Sequence, residues 1–195
     1  MSRKQRREAA KPAPKPKKKM AAAKSALLWA FEIVIVILCA YILAFFFGQS
    51  RIAIGQSMDV TISGGDKVLL DKLSYEFSSP KRGDIIAFKP GGSESSHSYI
   101  KRVIGLPGET IQIKDRMIYI NGEIYLEQKD YPVINNPGLA EQPITLGTNE
   151  YFVLGDNRNN SEDSRHASVG NVRLGEIEGK VWMILSPKEH FGLVK

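Results

Sequence analysis

Hydrophobic and polar residues alternate under two different rules along this chain, and the change falls near residue 48. From 26 to 47 the sequence reads ALLWAFEIVIVILCAYILAFFF, 22 residues with one readily ionised side chain, Glu32. A helix of that length extends about 33 Å, enough to cross a hydrocarbon core of about 30 Å. The run is longer than the roughly 7–15 apolar residues of a cleaved secretory signal, and Gly48-Gln49-Ser50-Arg51 lacks an Ala-x-Ala cleavage pattern, so it predicts a membrane anchor. Beyond it the apolar positions recur at period two, in short runs bounded by Gly, Pro, Asn and Ser, which predicts a mainly β fold. The expected strands are 67–71, 84–88, 99–104, 110–113, 117–120, 123–126, 151–154 and 180–185. Asn121-Gly122, set between two alternating runs, predicts a type I′ hairpin, because both turn positions need positive φ. Residues 127–149 carry Pro, Gly and Asn with weak periodicity and predict a loop insertion.

Charge gives the chain a direction. Residues 1–24 hold ten Lys/Arg against the single acid Glu8, a net +9, while the remainder carries seventeen basic and twenty acidic residues, a net −3. By the positive-inside rule the N-terminus is cytoplasmic. The expected organisation is a basic, disordered cytoplasmic arm at 1–25, a single transmembrane helix at 26–47, and an extracytoplasmic catalytic domain at 48–195 on the plasma membrane. The Lys- and Pro-rich stretch KPAPKPKKK within the arm would lie near anionic lipid headgroups. A folded part that is slightly acidic argues against nucleic acid as a partner. Cys39 is the only cysteine, which excludes an intramolecular disulfide and a four-cysteine zinc site. His97, His166 and His190 are scattered without ligand spacing, so neither metal nor cofactor is expected. A GxSxG elbow and a phosphate-binding glycine loop are both missing.

Three segments are dense in reactive side chains. Ile54-Gly55-Gln56-Ser57-Met58-Asp59-Val60-Thr61-Ile62 places a serine ten residues beyond the apolar helix, with Gly55 permitting close backbone approach to a ligand. In Tyr99-Ile100-Lys101-Arg102-Val103-Ile104 two cations interrupt an apolar strand, and strand alternation forbids both from pointing inward. If Lys101 is the inward one, desolvation lowers its pKa. The third, Gly155-Asp156-Asn157-Arg158-Asn159-Asn160-Ser161-Glu162-Asp163-Ser164-Arg165, is a polar run directly after an apolar strand.

Together with Arg82-Gly83-Asp84-Ile85-Ile86-Ala87-Phe88, these segments occur in the order found in the bacterial type I signal peptidases, which the sequence resembles over about residues 25–185. Val60 stands where that family usually has Pro, and Gly55 where many members have Ser, so a hydroxyl donor to the oxyanion is absent. The resemblance implies a catalytic domain of coiled antiparallel, Greek-key-like sheets and a serine endopeptidase with Ser57 as nucleophile and Lys101 as general base. It further implies that Ser161 hydrogen-bonds the Lys101 amine, that Asp163 pairs with Arg165, and that Asp156 pairs with Arg102 on the outward side of the strand. The implied substrate is the signal peptide of an exported preprotein, bound extended, with its small residues entering pockets lined by Ala53, Ile54, Gly55, Met58, Ile62, Tyr99 and Ile100. Membrane lipid and the secretion machinery are the other partners it implies. Two alternatives share such a fold: a non-catalytic membrane-anchored relative acting in surface or pilus assembly, and a self-cleaving Ser/Lys protein of the SOS-repressor type.

Overall fold

A computed structural model describes residues 17–92 and 97–194. The chain divides into two compact units, Met1–Ile42 and Leu43–Lys195. Helix α1 runs over Lys17–Phe47, beginning nine residues before the expected 26. The early start follows from the Lys and Ala residues at 17–24, all good helix formers. Its stretch Ala23–Phe45 is long and apolar enough to cross a membrane, and none of it is buried. Apolarity on all sides of the helix fits membrane anchoring. The disordered arm expected at 1–25 lies outside the described residues as far as residue 16.

The second unit is built of antiparallel strands in two sheets. The larger sheet contains β1 (Gln49–Ile52), β2 (Lys67–Asp71), β3 (Ile85–Phe88), β4 (Tyr99–Gly105), β9 (Glu150–Leu154), β10 (Val172–Arg173), β11 (Ile177–Ser186) and β12 (Gly192–Leu193). Its order is β1-β2-β11-β3-β4-β9-β10, with β12 also on β11. The smaller sheet runs β7-β6-β5-β8 from β5 (Thr110–Lys114), β6 (Met117–Ile120), β7 (Glu123–Ile124) and β8 (Ile144–Thr145). A one-turn helix α2 (Ser74–Phe77) follows β2.

Three apolar clusters fill this unit. One gathers Ala53, Met58, Ile62, Val68, Leu70, Ile85, Ala87, Ile100, Val181 and Ile184. A second joins the small sheet to β4 and β9 through Ile104, Ile111, Ile113, Ile118, Phe152 and Leu154. The third holds Ile86, Phe88, Val103, Tyr151, Val153 and Val172. β4 is therefore covered on both faces: Val103 enters the third cluster while its neighbours Ile104 and Ile100 enter the second and first. That is why Lys101 and Arg102, which alternation sends to opposite faces, are both buried.

The hairpin at Asn121-Gly122 forms as expected, with φ of 53° and 86°. Other elements depart from the sequence pattern. β7 stops at Ile124 rather than 126, and β1, β8, β10 and β12 were not expected. β11 spans ten residues instead of 180–185, because register shifts at Val181/Met183 and Ile184/Ser186 break the alternation by which a strand is read. The stretch 127–149 is more than a loop: β8 pairs Ile144 with Ile111, and Ile134, Ala140 and Leu146 are buried in the second cluster.

Candidate active site

Ser57 stands on the connection between β1 and β2. Two backbone bonds clamp the base of this connection, the Ala53 N–H donating to the Asp66 carbonyl and the Gly65 N–H to the Ala53 carbonyl, both at 2.8 Å. Above the clamp, Thr61 and Ile62 each donate a backbone N–H to the Met58 carbonyl at 2.8 Å, forming a helical turn directly after the serine. Burial of Met58 and Ile62 in the first cluster anchors that turn. Gly55 has φ 78°, a conformation that favours glycine, so the chain can turn just before Ser57.

Lys101 reaches the serine from β4, where it pairs with Ile86 of β3. Its side chain is 3% exposed, and Nζ lies 2.6 Å from Ser57 Oγ and 5.5 Å from the centre of the Tyr99 ring. Burial lowers its pKa from 10.5 to about 8; the carboxylates of Asp163, Glu162 and Asp156 pull the other way and keep it from falling further.

The polar run after β9 closes over this pair. The Asn157 N–H donates to the Ser57 carbonyl at 3.0 Å, and Asn157 Nδ2 to the Gln56 carbonyl at 3.1 Å. Gly155 makes the approach possible, since a Cβ there would lie 2.5 Å from the Ser57 carbonyl oxygen. The loop is held by two buried ion pairs. Arg165 donates from Nε and Nη2 to the two oxygens of Asp163, each at 2.8 Å, and the Gly155 N–H adds a third bond at 3.0 Å. Burial alone would raise the Asp163 pKa, but the Arg165 guanidinium and the Gly155 N–H hold it below the usual carboxylate value. Arg102 grips Asp156 in the same two-pronged way at 2.8 and 2.7 Å, and Thr61 Oγ1 donates to Asp156 at 2.6 Å, tying the serine turn to the loop.

The sequence-predicted residues come together with two differences. Asp156 and Arg102 do pair, yet the outward side of the strand is not a solvent face, being 0% and 6% exposed. Tyr131, from the insertion, lies across both Arg102 and Arg158, at 5.5 and 4.5 Å from its ring centre, and Arg158 in turn grips Glu127 with two bonds of 2.5 Å. Ser161 does not hydrogen-bond Lys101. Its hydroxyl is buried against Gly155 and close enough to Asp163 to help hold that carboxyl ionised, but it makes no bond of ordinary geometry.

A cavity of about 380 Å³ opens at Ser57 and Lys101. All seven expected substrate contacts, Ala53, Ile54, Gly55, Met58, Ile62, Tyr99 and Ile100, line it. Gln56, His97, Ser98, Asn160 and Glu162 line it as well and were not singled out from the sequence. Gln56, Asn160 and Glu162 lie inside quoted motifs and Ser98 adjoins one, the signal that could have found them; His97 had none. Among the described residues no group of three or more His, Cys, Asp and Glu is placed to hold a metal ion. The arrangement brings together a hydroxyl, a buried amine of lowered pKa beside it, and an apolar floor.

Residues 26–186 match the family model "Signal peptidase, peptidase S26". A signal peptidase I of Bacillus amyloliquefaciens is 35% identical over 185 residues, covering 89% of this chain and 95% of its own length. Signal peptidase I T of Bacillus subtilis strain 168 is 36% identical over 168 residues, covering 83% and 86%. A crystal structure of a signal peptidase I from Enterococcus faecalis V583 aligns at a TM-score of 0.40 and 33% identity, over 56% of this chain and 98% of that one.

Proposed function

Because the chain belongs to the peptidase S26 family of signal peptidases, we propose that it removes signal peptides from exported preproteins by a Ser57/Lys101 dyad, cutting after small residues in an Ala-x-Ala context. The observation that carries this reading is the 2.6 Å separation of Lys101 Nζ and Ser57 Oγ, with the lysine buried. A protonated Lys101 donates to the serine oxygen and is inert as a base. Once neutral, its lone pair accepts the Ser57 proton as Oγ attacks the scissile carbonyl, and the ammonium so formed returns that proton to the leaving amine.

A lysine at its usual pKa would need roughly 4–5 kcal/mol to be neutral at pH 7. A pKa of about 8 leaves only a modest part of that cost. The Ser57 backbone N–H is the natural donor to the developing oxyanion, and the Asn157 bond to the Ser57 carbonyl fixes the local backbone. Asp163, Arg165, Asp156 and Arg102 act as positioning residues: they touch the loop and the strand rather than the reacting atoms. An extended substrate would lay its small side chains on the floor of Ala53, Ile54, Met58, Ile62 and Ile100. The apolar stretch of α1 suits anchoring in the membrane that delivers such substrates, with the N-terminus cytoplasmic and the β domain outside. No observation favours the non-catalytic assembly relative or the self-cleaving repressor.

The test is cleavage of an Ala-x-Ala preprotein by the full-length protein in detergent, beside Ser57→Ala and Lys101→Met. Release of the mature protein by the parent alone is expected. Cleavage by a Lys101→Met chain at the parent's rate would sink the dyad.

A further inference from the structure

Glu162 is the one carboxylate among the described residues that lines the Ser57 cavity. It is exposed, yet not loose. Oε1 accepts a bond from Ser168 Oγ at 2.6 Å, and Oε2 a long one from the Tyr99 hydroxyl at 3.4 Å. Its backbone is fixed by its neighbour Asp163, locked to Arg165. The other acids near the dyad are already neutralised, Asp163 by Arg165 and Asp156 by Arg102, whereas no cation pairs with Glu162 among the described residues. Lys101 works in its neutral form, so a working cavity carries an oriented negative charge at its rim above an apolar floor. Ile54, Met58 and Ile100 are among the apolar residues of that lining.

An extended peptide turns alternate side chains to opposite sides. When its small residues face the floor, the residues next to them face away from it, towards solvent and the rim. We propose that Glu162 is a specificity-determining residue: its carboxylate favours preproteins that carry a lysine or arginine side chain next to the small residues at the cleavage bond. The inference rests on the peptidase reading above. The mechanism is a through-space attraction between a held anion and a substrate cation at the edge of a low-dielectric cavity, worth at most a few-fold at a solvent-exposed site. Nothing in the family match assigns this position a role, and the dyad chemistry does not require it.

The experiment uses the full-length protein in detergent at low ionic strength. Two pairs of peptides spanning an Ala-x-Ala site are compared, Lys against Gln at x in one pair and at the residue just after the bond in the other. The parent is expected to favour the lysine peptide in kcat/KM by about two- to fivefold in at least one pair. Glu162→Gln should bring that ratio to about one, Glu162→Lys should invert it, and high salt should shrink it in the parent. A purely structural role would instead slow both peptides equally. Glu162→Gln should also move the acid limb of the pH profile to lower pH, because the lost anion had favoured protonated Lys101. Equal cleavage of both peptides by the parent, or an unchanged ratio in Glu162→Gln, overturns the inference. If the glutamine peptides are cut by the parent and not by Ser57→Ala, that failure leaves the peptidase reading standing; if no peptide is cut, both fall.

Discussion

At the scale of single residues the decisive quantity is the proton on Lys101. With a pKa of about 8, the lysine is mostly charged at neutral pH, so kcat/KM should fall about tenfold for each pH unit below about 8, measured on a peptide without titratable groups. The same burial has a cost in stability. The unfolded chain holds this proton up to about pH 10.5 and the folded one only to about 8, so stability attributable to this group rises with pH between those values and is lowest below 8. Lys101→Met should therefore abolish cleavage yet raise unfolding stability at pH 7 by about 3 kcal/mol, a gain that shrinks as the pH is raised towards 10, read from denaturant melts. Gly155→Ala should also abolish cleavage but with the opposite effect on stability. Its new methyl would meet the Ser57 carbonyl oxygen at 2.5 Å, so cleavage should be lost along with some stability. The lysine was legible in the sequence as a cation inside an apolar strand, but its burial was not, since burial depends on segments far away in the chain, such as β3 with Ile86 and the Ser57 turn, arriving beside it.

At the scale of elements, what was legible was whatever strand periodicity records. β2 and β6 have their expected bounds, and the Asn121-Gly122 turn has both positive φ values. Gly122→Ala should cost about 1–2 kcal/mol of stability while leaving catalysis intact, as seen by melting and peptide cleavage side by side. What escaped the sequence were contacts made by irregular backbone. Tyr131 sits in a stretch without periodicity, yet its ring is shared by two guanidinium groups, one of them in the Asp156 pair. Thr61 likewise lay in the segment around Ser57 with no sign that its hydroxyl would reach Asp156, 95 positions away. Asp156→Ala strands the buried Arg102 charge, and a loss of about 3–5 kcal/mol is expected, with Arg102→Met/Asp156→Leu recovering part of it.

At the scale of the whole molecule the two units separate cleanly in their sources of stability, for all three apolar clusters are drawn from residues 53–194. A chain beginning at residue 43 should melt cooperatively within a few degrees of the parent, and should cut short soluble peptides while losing rate on membrane-bound preproteins. Within that unit, strand order matters more than strand number. Ser57 belongs to the β1–β2 connection and Lys101 to β4 beside β3, and the strand lying between β2 and β3 is β11, which begins only at Ile177. Its Lys180 also reaches back to Asp84 at the head of β3. A nascent chain that has not yet produced β11 carries Ser57 and Lys101 on pieces of sheet joined only by side-chain packing and by loop contacts such as Thr61 to Asp156. The sheet therefore closes only after the last strands have left the ribosome, and the alignment of Ser57 with Lys101 is expected to be among the final events of folding.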